Sequence, residues 1–302
     1  MRVVANGIGI EIDDQGPPGA EPLLLIMGLG MQLNGWPEEL VQMLVDRGFR
    51  VVRMDNRDAG LSQGFDQLGV PNLPWAGLRH VMHLPLHAPY GIADMADDAL
   101  GVLDALGLAQ AHVCGASMGG MIAQHLAAKH PQRVKSLTLM MTTSGSRRLP
   151  QPSARIKLAL LSRPASNQGG AVVAHLQRLL QLIGSPAYPA EPEAMRRRLE
   201  AVVARAWRPA GTARQIMAVV ADGDRSDLLA RIAAPTRVIH GRDDPLVPVA
   251  AGHDLVARIA GAVPDIVPGM GHDLPLPLLP HFAQGIAHNA ARATPTSMES
   301  KA

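Results

Sequence analysis

Three short segments of the chain carry residue types that could do chemistry together. The first is Gly115-Ala116-Ser117-Met118-Gly119, a serine with glycine two residues away on each side. This spacing suits a sharp turn from a strand into a helix, where a larger side chain at either flank would collide with the neighbouring strand and helix. Such a turn holds the serine in a strained backbone conformation. It also aims the first amides of the helix at a reacting carbonyl. The chemistry implied is nucleophilic attack by Ser117. A serine hydroxyl needs a base to take its proton, and the base needs a third group to orient it.

Twelve histidines compete for the role of base. His253 and His281 fall on helix-period segments, and His112 opens an apolar run of strand length. His272 stands apart in Gly269-Met270-Gly271-His272-Asp273, a glycine-flanked loop just past the apolar run 262–267. For the acid, Gly241-Arg242-Asp243-Asp244-Pro245 follows a run ending at His240. Asp243 and Asp244 both compete, and Asp244 fits better because Pro245 and Pro248 set it on the loop, clear of the strand. Three loops at the carboxyl ends of three parallel strands would meet on the edge where open α/β sheets hold their ligands. A rival cluster is His80, His83 and His87, spaced for one helix face and a metal ion. Pro85 and Pro89 interrupt that helix, so residues 71–89 are expected to form a loop near the mouth of the site.

These residues need a scaffold, and the chain supplies a rhythm for one. Apolar runs at 23–27, 50–54, 111–114, 134–141, 237–240 and 262–267 read as buried strands. Helix-period segments at 38–46, 94–106, 118–129, 249–259 and 278–291 alternate with them. The pattern predicts an α/β fold, a mostly parallel central sheet with helices on both faces. Asn6, Gly7 and Gly9 break the N-terminal residues into a hairpin. Asp94, Asp97 and Asp98 lie near a helix start, where the helix dipole favours negative charge. Between 146 and 227 the rhythm stops, and helix-period patterns punctuated by Pro164, Pro186, Pro189, Pro192 and Pro209 take over. The expected organisation is a core of residues 1–145 and 228–292, a helical cap insertion of 146–227, and a disordered tail of 293–302.

Composition removes several function classes. The 302 residues are 47% apolar, enough for a large core, but only 3% aromatic. A site that stacks bases or sugars on rings is therefore not expected. A net charge of +2 gives no nucleic-acid footprint. The run Arg196-Arg197-Arg198 beside Glu193 and Glu200 reads as a solvated helix face. A single cysteine, Cys114, allows no intrachain disulfide. No run is long and apolar enough for a membrane span, and the N-terminal residues lack a signal-peptide apolar stretch, so a cytoplasmic location is expected.

Nearly the whole chain resembles the α/β-hydrolase superfamily. Residues 115–119 resemble its nucleophile motif, 241–248 its acid loop with the aspartate fourth (Asp244), and Gly271-His272 its histidine loop. Asp55-Asn56-Arg57-Asp58-Ala59-Gly60-Leu61-Ser62 resembles the segment after its second long strand. Residues 27–36, 55–62 and 209–215 are similar to the anthracycline methylesterase-like group, many of whose sequences are uncharacterised esterases. The resemblance implies a Ser117–His272–Asp244 triad, with the amides of Leu29 and Met118 binding an oxyanion. It implies a carboxylesterase acting on a small-molecule ester without metal or organic cofactor. The alternatives are a cofactor-free haloperoxidase or perhydrolase, a carbon–carbon bond hydrolase, and a non-catalytic small-molecule receptor. One departure stands out: many members have His-Gly after the first buried strand, where this chain has Met27-Gly28.

Overall fold

The chain opens with a hairpin in which β1 (Arg2–Ala5) and β2 (Ile8–Gln15) pair antiparallel. Its two turn residues, Asn6 and Gly7, both have positive φ, as a tight hairpin turn requires. The computed structural model describes residues 1–82 and 84–293. Six further strands follow: β3 (Glu21–Ile26), β4 (Phe49–Met54), β5 (Ala111–Ala116), β6 (Val134–Met140), β7 (Thr236–Gly241) and β8 (Val263–Val267). They join β1 and β2 in one sheet of order β1-β2-β4-β3-β5-β6-β7-β8, parallel from β4 to β8.

The helices are α1 (Glu38–Val45), α2 (Leu73–Val81), α3 (Ile92–Ala105), α4 (Met118–Lys129), α5 (Ala154–Leu161), α6 (Gly169–Ile183), α7 (Pro192–Arg205), α8 (Pro209–Asp222), α9 (Ser226–Leu229), α10 (Ala250–Arg258) and α11 (Leu279–Ala291). The alternating side chains of the strands sort the core into two layers. Leu24, Ile26, Val52, Val113, Leu137 and Leu139 pack on the layer that holds α3 and α4. Leu23, Leu25, Val51, Cys114, Met140 and Ile239 pack on the layer that holds α1 and α11. Helix α4 is buried from Met118 to Ala128, so nearly all its faces are apolar or small.

Strand order explains where a site must lie. From β3 the chain steps to β4 on one side and then crosses back to β5 on the other, so the order reverses at β3. The loops leaving the carboxyl ends of β3 and β5 diverge there and leave a crevice between them.

Between β6 and α9 the chain forms four helices, α5 to α8, and no strand. The loop expected over 71–89 is corrected, because α2 occupies Leu73–Val81. Pro74 sits in its first turn, where no intrahelical amide bond is lost, and Pro85 and Pro89 lie beyond its end. The prolines bracket this helix. The side chain of His80 and all of His83 lie outside the described residues, as does the expected tail from residue 294. Asp98 also departs from its expected role at a helix start. It is buried, and it accepts from Arg57 Nε and Nη2, each at 2.6 Å. Arg196 does lie on an exposed helix face, paired with Glu193 and Glu200. Among the described residues, no helix is long and apolar enough to cross a membrane.

Candidate active site

Ser117 sits between β5 and α4 with φ 54° and ψ −120°, a left-handed backbone that a side chain rarely adopts. Its neighbours explain how the turn is possible. A Cβ on Gly115 would come within 2.3 Å of the Gly119 carbonyl oxygen, and one on Gly119 within 2.0 Å of the Ile26 carbonyl oxygen. Both glycines are thus required by backbone packed against backbone. The turn is pinned by the Ser117 amide donating to Met140 O at 2.8 Å and by Thr142 Oγ1 donating to Ser117 O at 2.7 Å.

The three predicted side chains meet. His272 Nε2 lies 3.0 Å from Ser117 Oγ, and His272 Nδ1 lies 2.7 Å from Asp244 Oδ2. Asp244 and His272 are buried, and Ser117 is half-buried. The other oxygen of Asp244 accepts from the Leu246 and Val247 amides at 2.9 and 2.8 Å. Every polar atom of that carboxylate therefore has a partner in a dry setting. Asp243 turns away: its Oδ2 accepts from the Gly269 amide at 2.8 Å. Of the two aspartates, Asp244 is the one that faces the imidazole.

Beneath this relay lies His240, fully buried, whose Nε2 lies 2.8 Å from Val247 O. Burial pushes its imidazole below the ordinary value, so the neutral ring donates through Nε2 and braces the acid loop. On the other side, the His272 amide donates to Ile183 O at 2.7 Å, at the end of α6. The Gly271 amide donates to Ser185 Oγ at 2.8 Å, and Ser185 in turn donates to Asp273. Burial pushes the carboxyl of Asp273 up from its ordinary value.

The backbone after β3 passes close by. A Cβ on Gly28 would stand 3.1 Å from Ser117 Cβ, which places the Gly28–Leu29 peptide against the serine. Met118 heads α4, and the first amides of a helix have no carbonyl partner within it. A cavity of about 430 Å³ adjoins the acid loop, lined by Met121, Leu149, Val219, Leu246 and Val247 among others.

The family model for the alpha/beta hydrolase fold matches residues 21–276. The chain belongs to that family. Rhodomycin D methylesterase DauP of Streptomyces sp. (strain C5) is 31% identical to this alpha/beta hydrolase over 92% of the chain and 94% of its own length. The 2-hydroxy-6-oxononadienedioate/2-hydroxy-6-oxononatrienedioate hydrolase of Paraburkholderia xenovorans (strain LB400) is 30% identical over 84% of the chain and 81% of its own length. Among solved structures, the meta-cleavage product hydrolase of Pseudomonas fluorescens IP01 superposes with a TM-score of 0.76 at 19% identity. It covers 97% of this chain and 98% of that one, a likeness of fold.

Several residues of this alpha/beta hydrolase escaped the sequence reading. Buried Asp58 accepts from Arg214 Nε and Nη2, each at 2.7 Å, and from the Tyr90 hydroxyl at 2.8 Å. Burial opposes the charge on Asp58, yet Arg214, the Phe65 amide and Tyr90 hold its carboxyl below the ordinary value. Buried Asp55 accepts from the Leu33 and Leu61 amides and from Arg205. Gln32 Nε2 donates to Val202 O and Ala206 O, both at 2.8 Å. The bonds from Arg214, Arg205 and Gln32 tie the loops after β3 and β4 to α8 or to α7 and its end. The available signal was the run 55–62 together with 209–215. Each was noticed as a motif, but nothing in the sequence says that they touch.

Proposed function

We propose that the protein is a carboxylic ester hydrolase that works through an acyl-enzyme, with Ser117 as nucleophile, His272 as base and Asp244 as the acid that orients the base. The observation that carries this reading is the continuous relay from Ser117 Oγ through His272 to Asp244, at 3.0 and 2.7 Å. Ser117 Oγ attacks the ester carbonyl while His272 Nε2 takes its proton. Asp244 holds the proton on Nδ1 and stabilises the imidazolium. The amides of Leu29 and Met118 receive the negative charge on the carbonyl oxygen; one such donor is worth about 10²–10³ in rate. His272 then gives its proton to the leaving alcohol, and water repeats the sequence on the acyl-enzyme to release the acid. The steps balance without a metal or organic cofactor.

Residues 146–227 act as a cap over the site, a role supported by the bonds from Ile183, Ser185 and Gln215 to the loops around the serine. The substrate is a small-molecule ester with an apolar part that fits the cavity beside the acid loop. The methylesterase relative points to a methyl ester as the first class to try. A cytoplasmic location belongs to the same reading, supported by a single cysteine that allows no intrachain disulfide. The relationship to the 2-hydroxy-6-oxononadienedioate hydrolase favours one second reading, hydrolysis of a carbon–carbon bond by the same relay. A panel of p-nitrophenyl and methyl esters, run beside a vinylogous diketone, separates the two. Ser117→Ala should abolish turnover. A purified Ser117→Ala protein as active as the parent refutes the assignment.

A further inference from the structure

We infer that Gln215, carried by α8 of the insertion, is a positioning residue for the oxyanion-binding amide of Leu29. This rests on the hydrolase reading above and adds to it a residue outside the triad and the oxyanion hole. Gln215 is fully buried and spans two loops of the core. Its Oε1 accepts from the Gly30 amide at 2.8 Å, and its Nε2 donates to Arg57 O at 2.8 Å.

The turn that Gln215 grips is the one that presents Leu29. The Met31 amide donates to Gly28 O at 3.2 Å, closing a four-residue turn over 28–31. Gly30, its third residue, has φ +66°, the backbone a type II turn needs there. Gly28 O and the Leu29 N–H belong to one planar peptide, so a bond that fixes the carbonyl also fixes the direction of the donor. Leu29 therefore lies between two restraints: the turn bond on its N-terminal side and Gln215 on its C-terminal side. Without an acceptor, the Gly30 amide would be a part-buried donor with no partner. The turn would then relax to find it a partner.

The rest of 209–215 fits around the same contact. A Cβ on Gly211 would stand 2.2 Å from Asp58 O, so α8 can lie flat on the loop after β4 only with glycine there. Thr212 Oγ1 occupies the space that a Cβ on Gly30 would need, at 2.9 Å. Arg214 locks the helix to Asp58. The segment thus brings one amide side chain to one turn, and it makes the shape of the oxyanion site depend on the docking of the insertion.

The test is Gln215→Met, which keeps length and volume but not the paired amide, assayed on p-nitrophenyl acetate. A misplaced oxyanion donor should lower kcat by about 10–100-fold while KM stays within about threefold. Affinity for a trifluoromethyl ketone, whose adduct with Ser117 places an oxygen anion in the same spot, should fall by the same factor. Affinity for an alcohol of the same shape should not change. A merely structural role would not divide the two inhibitors. A folded Gln215→Met protein with parental kcat and ketone affinity overturns the inference, and so does a loss confined to KM. If Gln215→Met does not fold, Gln215→Asn, one methylene too short to reach both partners, is read the same way, and parental kcat there overturns it. Activity retained in Ser117→Ala would instead sink the underlying reading.

Discussion

Replacing Asp244 by asparagine exchanges one oxygen for an NH₂ group and tests the whole relay. The surroundings dictate how the new amide must lie. Oδ1 accepts from two backbone amides, Leu246 at 2.9 Å and Val247 at 2.8 Å, while Oδ2 faces His272 Nδ1 at 2.7 Å. An NH₂ group cannot accept, so the oxygen of asparagine takes the Oδ1 place and the NH₂ faces the imidazole. Nδ1 must then act as acceptor, and the ring proton moves to Nε2, which faces Ser117 Oγ at 3.0 Å. In that tautomer the ring cannot take the serine proton. The loss of kcat seen for a wrong tautomer in the serine-protease template is about 10⁴, or about 5.5 kcal/mol of barrier. Fold and substrate binding should survive, because shape and backbone bonds are kept. The assay is kcat and KM on a p-nitrophenyl ester, with thermal unfolding beside it. Asp243→Asn is the control: its amide oxygen can still accept from Gly269, and near-parental turnover is expected. An Asp244→Asn protein with kcat within about tenfold of the parent would refute the tautomer reasoning.

Two further outcomes concern stability. Arg214→Met leaves Asp58 buried without its ion partner and should cost about 3–5 kcal/mol in urea unfolding. A cost under about 1 kcal/mol would mean that Tyr90 and the Phe65 amide suffice. The second is a pH effect. Burial, helped by the charge on Lys135, pushes the His112 imidazole down to about 4 from an ordinary 6.5. The unfolded chain therefore takes up the proton first as pH falls, and stability present above pH 6.5 is lost on the way down to 4. From the shift of the pKa to about 4, the loss at pH 4 is about 3 kcal/mol. His112→Gln should flatten that slope in urea midpoints measured from pH 7 to 4. An unchanged slope would sink this account.

The fold was legible because its signals are local. Leu23 to Ile26 and the run around Val113 are short and apolar on both faces, as strands buried in a parallel sheet must be. Ser117 and His272 were legible for another reason: each stands in a glycine-flanked loop visible within a few residues, although Gly119 and Gly271 answer to distant backbone at Ile26 and Gly184. Prolines favoured Asp244 over Asp243, but nothing in the sequence says which carboxylate faces the imidazole; in the structure Asp244 does. Residues 71–89 misled because Pro85 and Pro89 were read as ruling out a helix there, although both lie beyond the end of α2. Position within the helix decides, and Pro74 lies in its first turn. Asp98 was read only as a charge favoured by a helix start, because a buried ion pair looks the same in sequence as a solvated one. Its partner Arg57 lies 41 residues away, and no periodicity encodes that distance.

The boundary between helices α7–α8 and the loops after β3 and β4 explains why two motifs far apart in sequence belong together. An apolar boundary would tolerate sliding by a residue or two, since dispersion contacts have little direction. Here the boundary is a polar seam: Asp55 with Arg205, Asp58 with Arg214, Gln32 with the end of α7, and Gln215 between Gly30 and Arg57. Each of these is satisfied in one register, and displacing the insertion would leave several buried groups unpaired at about 1–3 kcal/mol apiece. Residues 55–62 and 209–215 are thus two sides of one contact. Through Gln215 that contact reaches the 28–31 turn, whose Gly28 lies against Ser117.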